Sequence, residues 1–235
     1  MTQIPLVPSV VITSPKKYDL IYIDCPWSYT NFGTASASGH YALMSQQDIC
    51  GLDLRSILNP KGGMVLVWAT GPRLNFAIEA IKSWGLHYRG VAFVWVKTRK
   101  ADNGIISGQG VPPTFTKPTT EFLLCASTKK SGRPLGLKVF NAPQVILAPR
   151  EGHSVKPEVF RTTIDSILGN SISKLEIFAR KLPVSPLWEA IGNEITGEDV
   201  RTSIQKLNGS LPVVSVGATI PQPGTQVSTW VTQLK

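Results

Sequence analysis

Four consecutive residues, Asp24-Cys25-Pro26-Trp27, bring a carboxylate, a free backbone carbonyl, a rigid turn and an aromatic face into one short stretch. Such a set suits an aromatic exocyclic amine, whose nitrogen is a poor nucleophile because its lone pair is delocalised into the ring. Two acceptors aimed at the amino hydrogens favour a tetrahedral nitrogen and free that pair to attack an electrophilic carbon. The Asp24 carboxylate is one acceptor and the Cys25 carbonyl the other. Pro26 holds the turn, and Trp27 offers a face on which a base can stack. An aspartate ending a strand before a proline turn can also be purely structural, so the tetrapeptide needs support from the rest of the chain.

The elements around it point to an active edge. Tyr18 to Ile23 is a short apolar, β-branched run that stops at the tetrapeptide and reads as a buried strand. Met64 to Ala69, Val91 to Val96, Glu121 to Ala126, Gln144 to Ala148 and Lys174 to Ala179 read as further strands. Helical spacing runs from Arg73 to Trp84 with Gly85 as its stop, and again after Pro157 to Gly169-Asn170. Leu187 to Ile195 is expected as a short helix. Strands alternating with helices predict an α/β fold, a mostly parallel sheet with helices on both faces. Ligands of such sheets bind at the carboxyl ends of the strands, where the tetrapeptide falls.

Residues 1–17 read as an arm, 18–206 as the catalytic domain and 207–235 as an extended tail that could pair as an edge strand. The stretch 100–118, rich in Gly, Pro, Thr and Asn, is too long for a simple connection and reads as a substrate-facing loop. At 235 residues the chain is long enough for one good-sized domain and short for two.

Net charge of +9 favours a polyanionic partner, and the cations cluster at Lys16-Lys17, Lys97 to Lys100, and Lys129-Lys130 with Arg133. Three cysteines without a C-x-x-C pair argue against a disulfide framework and a zinc site, and no cluster of His, Cys, Asp or Glu has metal-ligand spacing, so no metal is expected. No apolar run is long enough to span a bilayer and no signal sequence opens the chain, so no membrane partner and a cytoplasmic location are expected. The lack of a G-x-G-x-x-G run after a strand disfavours a nicotinamide dehydrogenase.

The tetrapeptide resembles the D-P-P-W motif of the β-class adenine amino-methyltransferases, and further segments match that family in its permuted order. His40-Tyr41-Ala42-Leu43-Met44-Ser45 looks like its H-Y-x-x-M-S loop, and His153-Ser154-Val155-Lys156-Pro157 like its H-S-x-K-P segment. Lys174 to Arg180 resembles K-x-E-L-F-A-R, and Trp188 with Gly192-Asn193-Glu194 the closing W-x-x-x-G-N-E. The resemblance implies a Rossmann-like methyltransferase fold with S-adenosyl-L-methionine as cofactor and S-adenosyl-L-homocysteine as product. It implies Asp24, Cys25, Pro26 and Trp27 as catalytic, and Asp24, Lys156, Glu176, Arg180, Asn193 and Glu194 toward the cofactor. Trp27, Tyr41 and Lys117 would face the substrate. Cys25 stands where the family has proline, Lys117 where it usually has arginine, and Gly152 where it often has glutamate.

Those assignments make physical sense. Lys156, at a helix start, supplies a point charge for a carboxylate, and Arg180, Asn193 and Glu194 carry the donors and acceptors that ribose and adenine need. Glu176 has an alternative in a structural ion pair with Lys174 or Arg180, and His153 is expected to order its loop. The expected function is methylation of the exocyclic amine of adenine in nucleic acid, DNA being favoured over RNA because the chain is compact and shows no RNA-binding module. The alternatives are adenine in RNA, the amine of cytosine, and a non-catalytic nucleic-acid-binding subunit; homodimers and heterodimers both stay open.

Overall fold

The apolar runs fold as strands because both of their faces can be buried, as in parallel sheets covered by helices on each side. The computed structural model describes residues 9–11, 14–27, 43–108, 115–136, 142–152, 155–211 and 213–215. The chain forms two compact units, one of residues 1–13 with 212–235 and one of residues 14–211. In the first, β1 (Ser9–Val11) pairs antiparallel with β9 (Val213–Ser215).

In the second unit the strands are β2 (Leu20–Ile23), β3 (Met64–Thr70), β4 (His87–Thr98), β5 (Thr120–Ser127), β6 (Val145–Pro149), β7 (Lys174–Ile177) and β8 (Trp188–Ile191). They form one seven-stranded sheet in the order β6-β4-β5-β3-β2-β7-β8. Only β5 runs against its neighbours, pairing antiparallel with both β3 and β4, while the other four pairings are parallel. The expected mostly parallel sheet is therefore what forms. The reversed strand matters for chemistry, because it carries its first residues, not its last, to the carboxyl ends of the others.

Helices cover both faces, as expected. On one face α3 (Leu74–Ser83) lays Ala77, Ala80 and Ile81 against Ile21, Ile23, Val65 and Val67 of the sheet, joined by Val200 and Ile204 of α6 (Val200–Leu207). On the other, α4 (Val159–Leu168) sets Phe160 and Ile164 among Leu20, Tyr22, Leu66 and Trp68. Here aromatic rings meet edge to face: Trp68 lies 4.9 Å from Phe160 and 6.2 Å from both Tyr22 and Trp95.

Three differences from the sequence-based expectation have local causes. Leu187 to Ile195 is not a helix: Trp188–Ile191 adds to β7 as a parallel strand, and only Asn193–Thr196 turns helically (α5). Trp188 and Ile191, three apart, match a helical period; on the strand they point to opposite faces of the sheet, one into each core cluster, and the free edge of β7 is what makes them a strand. The short helices α1 (Gln46–Cys50) and α2 (Leu54–Ile57), and α6, leave no clear periodic signal in the sequence. Their side-chain N-caps Ser45, Asp53 and Asp199 satisfy the first free N–H groups of helices too short to show a period. Finally, β4 begins at His87, four residues before the expected strand, because register shifts near Gly90, which has φ 116°, let the pairing with β5 continue.

Candidate functional site

Asp24 follows β2 directly, level with the last residues of β3 and β7, so the tetrapeptide sits at the carboxyl edge. The turn is held by two backbone bonds: Trp27 N–H donates to the Cys25 carbonyl at 2.9 Å, and Met44 N–H to the Pro26 carbonyl at 2.9 Å. The Cys25 carbonyl has one lone pair engaged by the turn and, among the described residues, none of its acceptor capacity taken by another partner. The Cys25 thiol is buried at 4% exposure, and burial pushes its pKa well above the ordinary thiol range, so it packs as a small apolar group and is no nucleophile.

Trp27 departs from the role expected of it. Its ring is 7% exposed and belongs to the apolar cluster with Ile23, Ile49 and Leu54, so in this conformation it anchors the turn and does not present a stacking face. The cause is the bond from Met44 to Pro26, which draws the strand end under the segment leading into α1. Tyr41, His40, His153 and Ser154 lie outside the described residues. Lys117 is exposed on the segment leading into β5.

Lys156, on the connection from β6 to α4, donates from Nζ to Asp24 Oδ2 at 2.7 Å. Its ammonium also lies 3.4 Å from Glu121 Oε2, and Glu121 Oε1 is 2.6 Å from Lys97 Nζ. Sequence reasoning does not single out Glu121 or Lys97 as site residues. A glutamate opening an apolar strand is visible in the sequence; that the strand runs backwards, delivering this glutamate to the carboxyl edge opposite Thr70 and Trp95, is not. Lys97, which in the sequence belongs to a basic cluster, is 17% exposed and spends its charge on Glu121, while its neighbour Arg99 is paired with Asp102. A cleft beside these groups is lined by Trp95, Lys97, Glu121, Arg150, Val155 and Lys156.

The electrostatics follow from burial and alternation of sign. Burial raises the Asp24 carboxyl above its ordinary range, with Lys156 opposing the shift. Burial acts the same way on Glu121, yet Lys156 and Lys97 together outweigh it and hold its carboxyl below the ordinary value. Burial disfavours the Lys156 charge, but Asp24 and Glu121 prevail and its ammonium is held firmly protonated.

Glu176 faces elsewhere. Both of its oxygens are taken by Arg161 of α4, at 2.6 and 2.8 Å, in a pair buried to 8% and 9% side-chain exposure. The ion pair is thus neither with Lys174 nor with Arg180. Lys174 and Glu176, two apart on a strand, share the face that meets α4, where Arg161 and Asp165 are one turn apart; Lys174 takes Asp165 at 3.1 Å. Arg180 instead pairs with Glu194 at 2.9 Å across the ends of β7 and β8. Gly192 permits that approach, since a Cβ there would lie 2.2 Å from the Ala179 carbonyl oxygen. Phe178, at the end of β7, has φ 64°, a strained conformation for a bulky residue that turns the chain toward Arg180.

A model of one protein family, MT-A70, matches residues 18–194, a span that begins at the buried Tyr18 before β2 and ends at Glu194. The chain belongs to the MT-A70 methyltransferase family. A "Type II methyltransferase M.MunI" from Mycoplasma sp is 31% identical over 211 residues, covering 81% of this chain and 83% of that protein. An "N(6)-adenosine-methyltransferase MT-A70-like protein" of Drosophila melanogaster is 24% identical over 181 residues, 77% of this chain. The human "N(6)-adenosine-methyltransferase catalytic subunit METTL3" is 27% identical over 135 residues, 57% of this chain. The chain spans 27% and 22% of the length of these last two.

Membership of the MT-A70 family implies S-adenosylmethionine, and the donor set at the carboxyl edge fits it. A buried ammonium suits its carboxylate, the neighbouring Asp24 and Glu121 suit its cationic groups, and Arg180, Asn193 and Glu194 follow the next two strands. Two buried polar atoms near the ends of β2 and β3, Trp27 Nε1 and Thr70 Oγ1, have no partner among the described residues. Among the described residues, no helix is long and apolar enough to cross a membrane.

Proposed function

We propose that this MT-A70 family member methylates the exocyclic amine of adenine in DNA, with Asp24 and the Cys25 carbonyl gripping the amino group. The observation that carries the reading is the Asp24 carboxylate at a strand end, with Lys156 fixed on Oδ2 and, among the described residues, no hydrogen bond to Oδ1. Oδ1 takes one amino hydrogen and the remaining lone pair of the Cys25 carbonyl the other, which favours a pyramidal nitrogen with its lone pair available. The proton released by the amine goes to Asp24 Oδ1, whose raised affinity for protons suits it to that task.

Bound S-adenosyl-L-methionine would supply an electrophilic methyl group. Lys156 would hold its carboxylate and Arg180, Asn193 and Glu194 its nucleoside end; Glu176 supports this edge through Arg161. Tyr41 and Lys117 would contact the substrate, and Trp27 anchors the turn beneath it. The catalytic part is residues 18–206, with 1–17 and 207–235 as appendages. The target base is turned out of the duplex, since an amine inside a base pair cannot reach Asp24.

Support for DNA comes from size and from relatives: the chain is matched over 83% of a type II methyltransferase but over 22% to 27% of the adenosine methyltransferases. The protein is incubated with methyl-labelled S-adenosyl-L-methionine and DNA or RNA, and the digested nucleosides are separated. Label is expected in N6-methyl-2′-deoxyadenosine and lost in Asp24→Ala while cofactor binding persists. Label only in RNA adenosine or in cytidine would overturn the substrate, and full turnover by Asp24→Ala the mechanism.

A further inference from the structure

Lys97, Glu121, Lys156 and Asp24 form an unbroken row of alternating charge, with contacts of 2.6, 3.4 and 2.7 Å. The row is contributed by three strands and a loop: the end of β4, the start of β5, the connection after β6, and the end of β2. Side-chain exposures of 17%, 13%, 8% and 30% along it keep solvent from screening the inner members. Both ammonium groups also lie over tryptophan rings, Lys97 5.0 Å from Trp95 and Lys156 5.5 Å from Trp68, and those rings touch each other. Packed aromatic walls leave the two lysines little freedom to swing to other partners.

Lys156 faces two carboxylates, and only one of them is at the proposed reaction centre. Were Glu121 without a second cation, it would compete with Asp24 for the single ammonium. Lys97 removes that competition. With all four present the row is neutral; deleting the outer lysine leaves it with one excess negative charge, and neutralising the glutamate leaves one excess positive charge.

We propose that Lys97 and Glu121 are positioning residues that set the charge on Asp24 through Lys156. The inference rests on the reading of Asp24 as the amine-binding carboxylate. Among the described residues, the other charged or titratable groups around Asp24 are Glu176, with its partner Arg161, from β7 and α4, the Tyr22 phenol on β2, the adjacent Cys25 thiol, and Arg150 across the cleft.

The test is the acid limb of the pH profile of kcat in Lys97→Met and Glu121→Gln, with Lys97→Arg as the charge-preserving control. An excess negative charge disfavours ionised Asp24, so Lys97→Met should move the limb to higher pH. Glu121→Gln should move it to lower pH, each by on the order of one pH unit, and Lys97→Arg should restore the wild-type profile. A merely structural role would lower kcat in both variants without shifting the limbs in opposite directions, and that result, or shifts of the same sign, overturns the proposal. Titrating the Asp24 carboxyl carbon by NMR in the same variants reads the same shifts without turnover. If Asp24→Ala keeps full activity the reading of the site fails, and the NMR titration still decides the inference.

Discussion

Lys156 Nζ donates to Asp24 Oδ2 at 2.7 Å although 132 residues separate them in the chain. The sequence resemblance implies both residues toward the cofactor and Asp24 toward the amine as well. The fold makes them a unit. Replacing Lys156 by methionine leaves Asp24 and Glu121 as neighbouring carboxylates without their shared cation. The Asp24 carboxyl should then titrate about one to three pH units higher, and turnover at neutral pH should fall. Carbon-detected NMR of the aspartate carboxyls and initial rates check the two parts.

Turnover of the wild-type protein should fall with acid at a pH above the ordinary carboxylate value of 3.8, because burial raises the Asp24 carboxyl and only its ionised form can take up the proton that the amine releases. Stability should respond with the opposite sign at Glu121. Its carboxyl is held below the ordinary 4.5, so it contributes stability present above that value and lost as pH falls through its lowered one. Melting curves of Glu121→Gln against wild type should differ at pH 7 and converge in acid.

Arg161 and Glu176 should behave as a structural pair. Changing Arg161 to methionine strands a buried carboxylate and should cost about 3–5 kcal/mol of unfolding free energy. Denaturant melts read this directly. Equal stability with weakened cofactor binding would mean that Arg161 serves the ligand and not the sheet.

At Gly192 the limit is space, since its backbone is extended and the nearest obstacle is the Ala179 carbonyl oxygen, 2.2 Å from where a Cβ would stand. Gly192→Ala must push β7 and β8 apart at their carboxyl ends. A loss of about 1–3 kcal/mol is expected, with weaker binding of S-adenosyl-L-methionine because Arg180 and Glu194 separate. Calorimetry of binding and thermal melts measure both.

Much of the fold and of the site is legible in consecutive residues. Tyr18 to Ile23 followed by Asp24-Cys25-Pro26-Trp27 is a buried strand ending in acceptors, a local pattern that needs no partner to be read. The same locality makes the central strands and the two long helices visible, as period and termini are properties of neighbouring positions. Trp188 to Ile191 reads wrongly as a helix because its two apolar residues are three apart, a helical spacing, whereas on the open edge of β7 they serve one face of the sheet each.

The sequence by itself determined the mostly parallel sheet and the place of Asp24 and Lys156 in segments that end or follow its strands. Only the tertiary structure decided which charges meet. The direction of β5 sends Glu121 to the carboxyl edge between Lys97 and Lys156, and the face of α4 gives Glu176 to Arg161. Hydrophobic periodicity is written along the chain, whereas charge pairing depends on strand order and direction, which bring residues distant in sequence to within about 4 Å of each other.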